Sequence, residues 1–216
     1  MGWLVLHWED ESDDLVRSRI IAAGGALGGR TAGLLFAQLV GAPVTVQLSG
    51  KSYDLRLDVL DSVALSGRAE PAFGVVELLK DPDIEVARRA ASTLRMLANR
   101  SEDPFDWSQN VSAIEAELAA SQWTAWLEGA ADSSRDEWVA SGFADLGISM
   151  DGRASAAAEE LAQIIDDERE WLSVNAQRLL MRMSRNQPRS LHWPAIDAET
   201  YWRRWVRRNP GRIAWR

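Results

Sequence analysis

Acidic side chains in short clusters are the residues of this chain best placed to do chemistry. Asp166, Asp167 and Glu168 are consecutive, and Glu170 follows. Carboxylates this close can share a proton or hold a hard cation. The segment has no calcium-binding loop and no glycine turn, so it reads as an acid-rich turn between helices. A second group, Glu128, Asp132, Asp136 and Glu137, flanks another expected inter-helix loop. The chain has no cysteine and two histidines, His7 and His192. That excludes thiolate zinc sites, disulfides and cysteine nucleophiles, and no multi-histidine metal site is expected. No serine stands in a Gly-x-Ser-x-Gly elbow. The glycines at Gly24-Gly25 and Gly28-Gly29 lack the Gly-Lys-Ser/Thr ending of a phosphate loop. No catalytic residue, metal ligand or cofactor is therefore assigned.

A basic and aromatic segment lies near the C-terminus. Trp202 and Trp205 share one helical face at i, i+3, while Arg203, Arg204, Arg207 and Arg208 take the other. One role for the tryptophans is to cap the open apolar end of a stack of helices. The other is a nucleic-acid surface built from Trp202, Arg203, Trp205 and Arg207, with arginine on phosphate and indole on bases. The chain holds 11 Trp and 2 Tyr, and its basic residues are 22 Arg against 2 Lys.

The elements that position these residues are mainly helical. Residues 13–24 and 31–40 have helical apolar spacing, the second ended by Gly41-Ala42-Pro43. Val44–Leu48 alternates like a strand, but five residues alone make no sheet. Helix spacing returns from Tyr53 to Leu65. Pro71 opens a helix at its first turn, with Phe73, Val76 and Leu79 as its apolar stripe. Asp81-Pro82-Asp83 breaks it, and Asp83 can cap the helix that carries Ile84, Val86, Ala90, Leu94 and Leu97. Further helices are expected at 111–127, 135–146, 154–165, from Asp167 to about Met183, and at 201–208.

Pro71–Leu97 resembles a HEAT repeat: a helix ending in Leu-Leu, then Asp-Pro-Asp, then a helix with Val86, Ala90 and Leu94 at five, nine and thirteen residues after Asp81. The family often has Arg after that valine, whereas this chain has Ala87. The template recurs from Asp167 with Leu172, Ala176, Leu180 and Met183. The two start 86 residues apart, which is two periods of the roughly 40–47 residues typical of such repeats. A degenerate repeat fits between them, with Trp138, Gly142 and Leu146 in the Val, Ala and Leu positions. The resemblance implies an all-α HEAT-like solenoid of about eight to eleven helices. It would be one domain over residues 1–216, with divergent helices in 1–66, repeats in 71–187 and a Trp-rich C-terminal cap in 188–216.

Charge separates the candidate functions. The net charge is −8 with a sequence pI near 4.9. Residues 101–170 hold 17 acids and 3 bases, and residues 171–216 hold 2 acids and 10 bases. The leading expectation is a non-catalytic protein-binding module. Its Glu128, Asp132, Asp136, Glu137, Asp166, Asp167, Glu168 and Glu170 would face a basic protein partner. One concrete form is an immunity- or antitoxin-like inhibitor of a cationic toxin. The alternative is a DNA glycosylase, since some HEAT-like proteins use Trp, Asp and Arg in a basic groove. The acidic balance opposes it, because DNA affinity rests on phosphate neutralisation. The basic C-terminal segment could also pair with the acidic residues internally. No apolar run reaches the roughly 18 residues of a membrane span. The N-terminus lacks a basic region before its apolar residues, so the expected compartment is the cytoplasm.

Overall fold

The structure is a computed structural model that describes residues 13, 16, 45–48, 51–66, 68–150, 152–184 and 198–215. The expected helices at 13–24 and 31–40, apart from Asp13 and Val16, lie outside the described residues, as do His7 and His192. The protein is mostly helical, with eight α-helices among the described residues. It divides into two compact units: Met1–Leu97 with Ser101–Arg135, and Ala98–Arg100 with Asp136–Arg216.

Among the described residues of the first unit, the first element is a two-stranded antiparallel ribbon, β1 (Thr45–Leu48) and β2 (Lys51–Asp54), with Thr45 opposite Asp54 and Leu48 opposite Lys51. The alternating segment thus finds a partner in the four residues from Lys51, which take the start of the expected Tyr53 helix. Helix α1 (Leu55–Ser66) follows. Asp54 starts it by accepting the Arg56 backbone N–H at 2.9 Å. Helix α2 (Ala72–Glu77) runs into a 3₁₀ turn, Leu78–Lys80, and α3 (Ile84–Ala98) and α4 (Ala113–Gly129) complete the unit. The α2 stripe is rotated from expectation. Ala72, Val75, Val76 and Leu79 are buried, while Phe73 is exposed. At 3.6 residues per turn the first four share a face and Phe73 is turned about 100° from Ala72. Helix α4 starts from a capping box: Ser112 Oγ accepts the Glu115 N–H at 3.3 Å, and the Glu115 carboxylate accepts the Ser112 N–H at 2.8 Å.

The second unit holds α5 (Arg135–Ala144, from Asp136), α6 (Ala154–Leu161), α7 (Glu170–Ser184) and α8 (Ala198–Arg208). Helix α6 packs on both α7 and α8. The core contains Phe143, Ile148, Leu161, Ile165, Leu172, Ala176, Leu180, Met183, Trp202 and Val206. Helix α5 ends earlier than the expected Leu146, which is exposed. Gly147 adopts φ +81° and terminates it. The Gly147 N–H reaches the Ala144 carbonyl at 2.8 Å and the Ile148 N–H reaches the Phe143 carbonyl at 3.0 Å. That is the glycine-dependent Schellman ending, in which the residue after the glycine packs on the last turn. Ile148 and Phe143 therefore fill the core position assigned to Leu146.

The consecutive helix pairs α2–α3 and α6–α7 share one internal pattern. Asp81 accepts the N–H of Asp83 at 2.9 Å, and Asp167 accepts that of Arg169 at 2.8 Å. The second helix starts three residues after the aspartate in both and runs for 15 residues. Val86, Ala90, Leu94 and Leu97 correspond to Leu172, Ala176, Leu180 and Met183, and all eight are buried. In the first helices Ala72, Val75, Val76 and Leu79 correspond to Ala158, Leu161, Ala162 and Ile165, again all buried. Alanine at nine residues after the aspartate suits close approach of a partner element, because it presents only a methyl group.

Candidate functional site

The acidic residues divide between the two units. Glu128 and Asp132, at and after the end of α4, are exposed in the first. In the second, Asp136 is held by Arg182 through two parallel bonds of 2.8 and 3.0 Å. This contact raises the Arg182 pKa above its ordinary value, chiefly through hydrogen bonding. Glu137 is exposed beside it in the first turn of α5.

The turn between α6 and α7 carries the densest acidic group. Asp167 works within the turn: besides the Arg169 N–H, its carboxylate accepts the Arg169 Nε and Nη2, both at 2.8 Å. These bonds hold the Asp167 carboxyl below its ordinary range. Asp166, Glu168 and Glu170 are exposed around it. The turn thus separates one carboxylate that builds backbone geometry from three that face solvent. Among the described residues, no group of three or more His, Asp or Glu side chains is arranged to hold a metal ion.

The C-terminal segment is split in another way. Trp202 is buried in the core with Val206, and Trp205 and Tyr201 pack partly buried beside it. The Trp202 ring meets those of Tyr201 and Trp205 edge-on, with centroids 5.4 and 5.9 Å away. A fully buried indole has no face to offer a nucleic-acid base. Arg203 and Arg207 are exposed and line a cleft of about 160 Å³ with Glu159, Ala162, Gln163 and Val206. Trp215 donates its indole N–H to the Gly152 carbonyl at 2.8 Å.

Two features of the first unit have no counterpart in the reading of the sequence. One is Asp103, whose side chain has no exposed surface. It accepts the indole N–H groups of Trp107 and Trp123, each at 2.8 Å, and an Arg95 Nη2 at 3.0 Å. Tryptophan, aspartate and arginine are the residue types of the glycosylase alternative, but this carboxylate is closed to a substrate. Its bonds hold the loop before α4 in shape. Asp-Pro-Phe-Asp-Trp at 103–107 signals only the Trp107 contact, since Trp123 is twenty residues away.

The other is a groove of about 490 Å³, lined by the end of α2, the Asp81-Pro82 turn, Ile84 and Ala87 of α3, Trp107, and residues 110–117 around the start of α4. Leu79, Ala87, Trp107 and Ala116 form its buried floor. Lys80, Asp81, Asn110 and Glu117 supply its polar groups. Asp81 is committed to Arg56, a buried guanidinium that also binds Asp54 at 2.6 Å. Lys80 bonds Glu77 at 2.9 Å, which holds its ammonium pKa above the usual range. No helix of the described residues is long and apolar enough to cross a membrane. No protein-family model, curated protein or solved structure matches the chain.

Proposed function

We propose that this chain is a non-catalytic binding module built from HEAT-like helix hairpins, with an acidic surface that recognises a basic protein. The α6–α7 turn carries this reading. One of its four carboxylates serves the backbone, and Asp166, Glu168 and Glu170 stand exposed beside it. Clustered like charges repel, and the folding gain open to them, from Glu170 in the first turn of α7, is only about 0.3–1 kcal/mol. They do attract a cationic surface and steer its approach. The matched burial pattern of the α2–α3 and α6–α7 helix pairs supports the HEAT-like part. In a solenoid of such units the tryptophans of α8 would close the last repeat. An immunity- or antitoxin-like inhibitor of a cationic toxin is one form of this function.

Parallel affinity capture tests it, using the wild-type chain and a bait carrying Asp166→Lys, Glu168→Lys and Glu170→Lys. Asp167 is left intact because it holds the turn. The wild-type bait is expected to retain a basic protein at about 50 mM salt and release it at several hundred millimolar, where the Debye length is a few ångströms. The purified partner should then bind the reversed bait at least about tenfold more weakly. Equal binding of the partner by both baits, or no partner for the wild-type bait, contradicts the proposal.

A further inference from the structure

The geometry of the first-unit groove points to a second binding site, independent of the acidic turn. We propose that it receives an extended protein segment in which an apolar side chain lies next to lysine or arginine. Its volume of about 490 Å³ falls within the roughly 300–1,000 Å³ typical of ligand sites. The hollow exists because Ala87, Ala113 and Ala116 occupy positions where larger side chains would fill it. Its floor is preorganised: Trp107 donates to Asp103, and the same carboxylate binds Trp123 and Arg95. A rigid apolar floor takes an aliphatic or aromatic side chain without an ordering cost to the receptor.

Charge decides what accompanies that side chain. Lys80, Arg56 and Arg88, which donates to the Trp107 carbonyl, are the cations in or bonded to the groove lining, against the carboxylates of Asp54, Glu77, Asp81, Glu85 and Glu117. The balance is negative. Asp81 is occupied by Arg56, while the Lys80 ammonium bonds Glu77 and is also drawn to Glu117, so this group of two carboxylates and one ammonium keeps a net negative charge for an incoming cation, on the side of the exposed Glu117. The exposed amide of Asn110 offers a donor and an acceptor to a peptide backbone.

A fluorescein-labelled acetylated pentapeptide of alternating lysine and leucine serves as probe. Peptides with glutamate in place of lysine, or serine in place of leucine, are the controls, and laurate tests for an anionic amphiphile. Binding is read by polarisation and by amide chemical-shift mapping. The lysine–leucine peptide is expected to bind, with shifts concentrated in residues 79–87 and 110–117. Both control peptides should bind at least about tenfold more weakly. Ala113→Trp, which fills the hollow, and Glu117→Lys, which reverses its charge, should each weaken the lysine–leucine peptide by a similar factor. Both positions are exposed, so melting temperatures should confirm that the variants are folded. Absence of binding, equal binding by the folded variants, preference for laurate, or shifts confined to the Asp166–Glu170 turn would overturn the proposal. The α6–α7 triple reversal should leave this binding site intact, which separates failure here from failure of the acidic surface.

Discussion

Asp103 shows how one residue can look catalytic by type and be structural by environment. Its carboxylate is buried among two indole N–H groups and an arginine. Replacing it with alanine leaves Arg95 with a lost ionic partner and two indoles without acceptors. Asp103→Ala should therefore cost about 3–5 kcal/mol of unfolding free energy, read by denaturant titration. A loss below about 1 kcal/mol would show that the cluster is not closed. Gly142 makes a second residue-scale demand. A Cβ there would stand 2.3 Å from the Asn99 carbonyl oxygen, which is backbone and cannot swing aside. Asn99 itself is held with φ +58°, its Nδ2 donating to the Val139 carbonyl at 3.2 Å and its Oδ1 accepting from Asn175 at 3.1 Å. Gly142→Ala should destabilise by about 3 kcal/mol despite its favourable helix propensity. An unchanged or higher melting temperature would mean that the two backbones are not in contact. Neither demand was legible in the sequence. Gly142 read as a small repeat position, but its neighbour Asn99 lies 43 residues earlier, and spacing along a helix says nothing about so distant a backbone.

At the scale of elements, the legible parts were those governed by local chemistry. Asp81-Pro82-Asp83 announced the break between α2 and α3 because proline cannot continue a helix and aspartate caps the next one. The buried positions of α3 and α7 followed from helical spacing counted from Asp81 and Asp167. Where local geometry departed from a regular helix, the reading slipped. The 3₁₀ turn at Leu78–Lys80 accompanies a stripe that excludes Phe73, and Gly147 ended α5 before Leu146 could pack. The α6–α7 turn also makes a pH prediction. The folded-state pKa of Asp167 is lowered, chiefly by hydrogen bonds from the Arg169 side chain. Its stabilisation is therefore complete above the ordinary carboxylate pKa of about 4, and is lost as pH falls through the lower folded value. The melting-temperature gap between wild type and Asp167→Asn should be constant above about pH 5 and narrow below the ordinary pKa. A gap that does not change with pH would assign the effect to something other than the ionised carboxylate.

Across the whole molecule, the uneven charge is the property on which the proposed function rests. The acidic excess of residues 101–170 and the basic excess of residues 171–216 were plain in the sequence, but their local uses were not. Asp136 pairs with Arg182, and Asp167 with Arg169. Trp202 takes its share of the basic segment into a core, leaving Arg203, Arg204, Arg207 and Arg208 exposed on α8. If Asp166 and Glu168 serve a partner, their charge contributes no stability to the free chain. The decisive measurement is the melting temperature, at about 20 mM salt where screening is weak, of the chain with Asp166→Lys and Glu168→Lys, Glu170 being kept because its charge favours the first turn of α7. The account predicts an unchanged or raised value, because mutual repulsion is removed. A fall of several degrees, matched when Arg203, Arg204, Arg207 and Arg208 are neutralised instead, would contradict it by making the acidic surface an internal one.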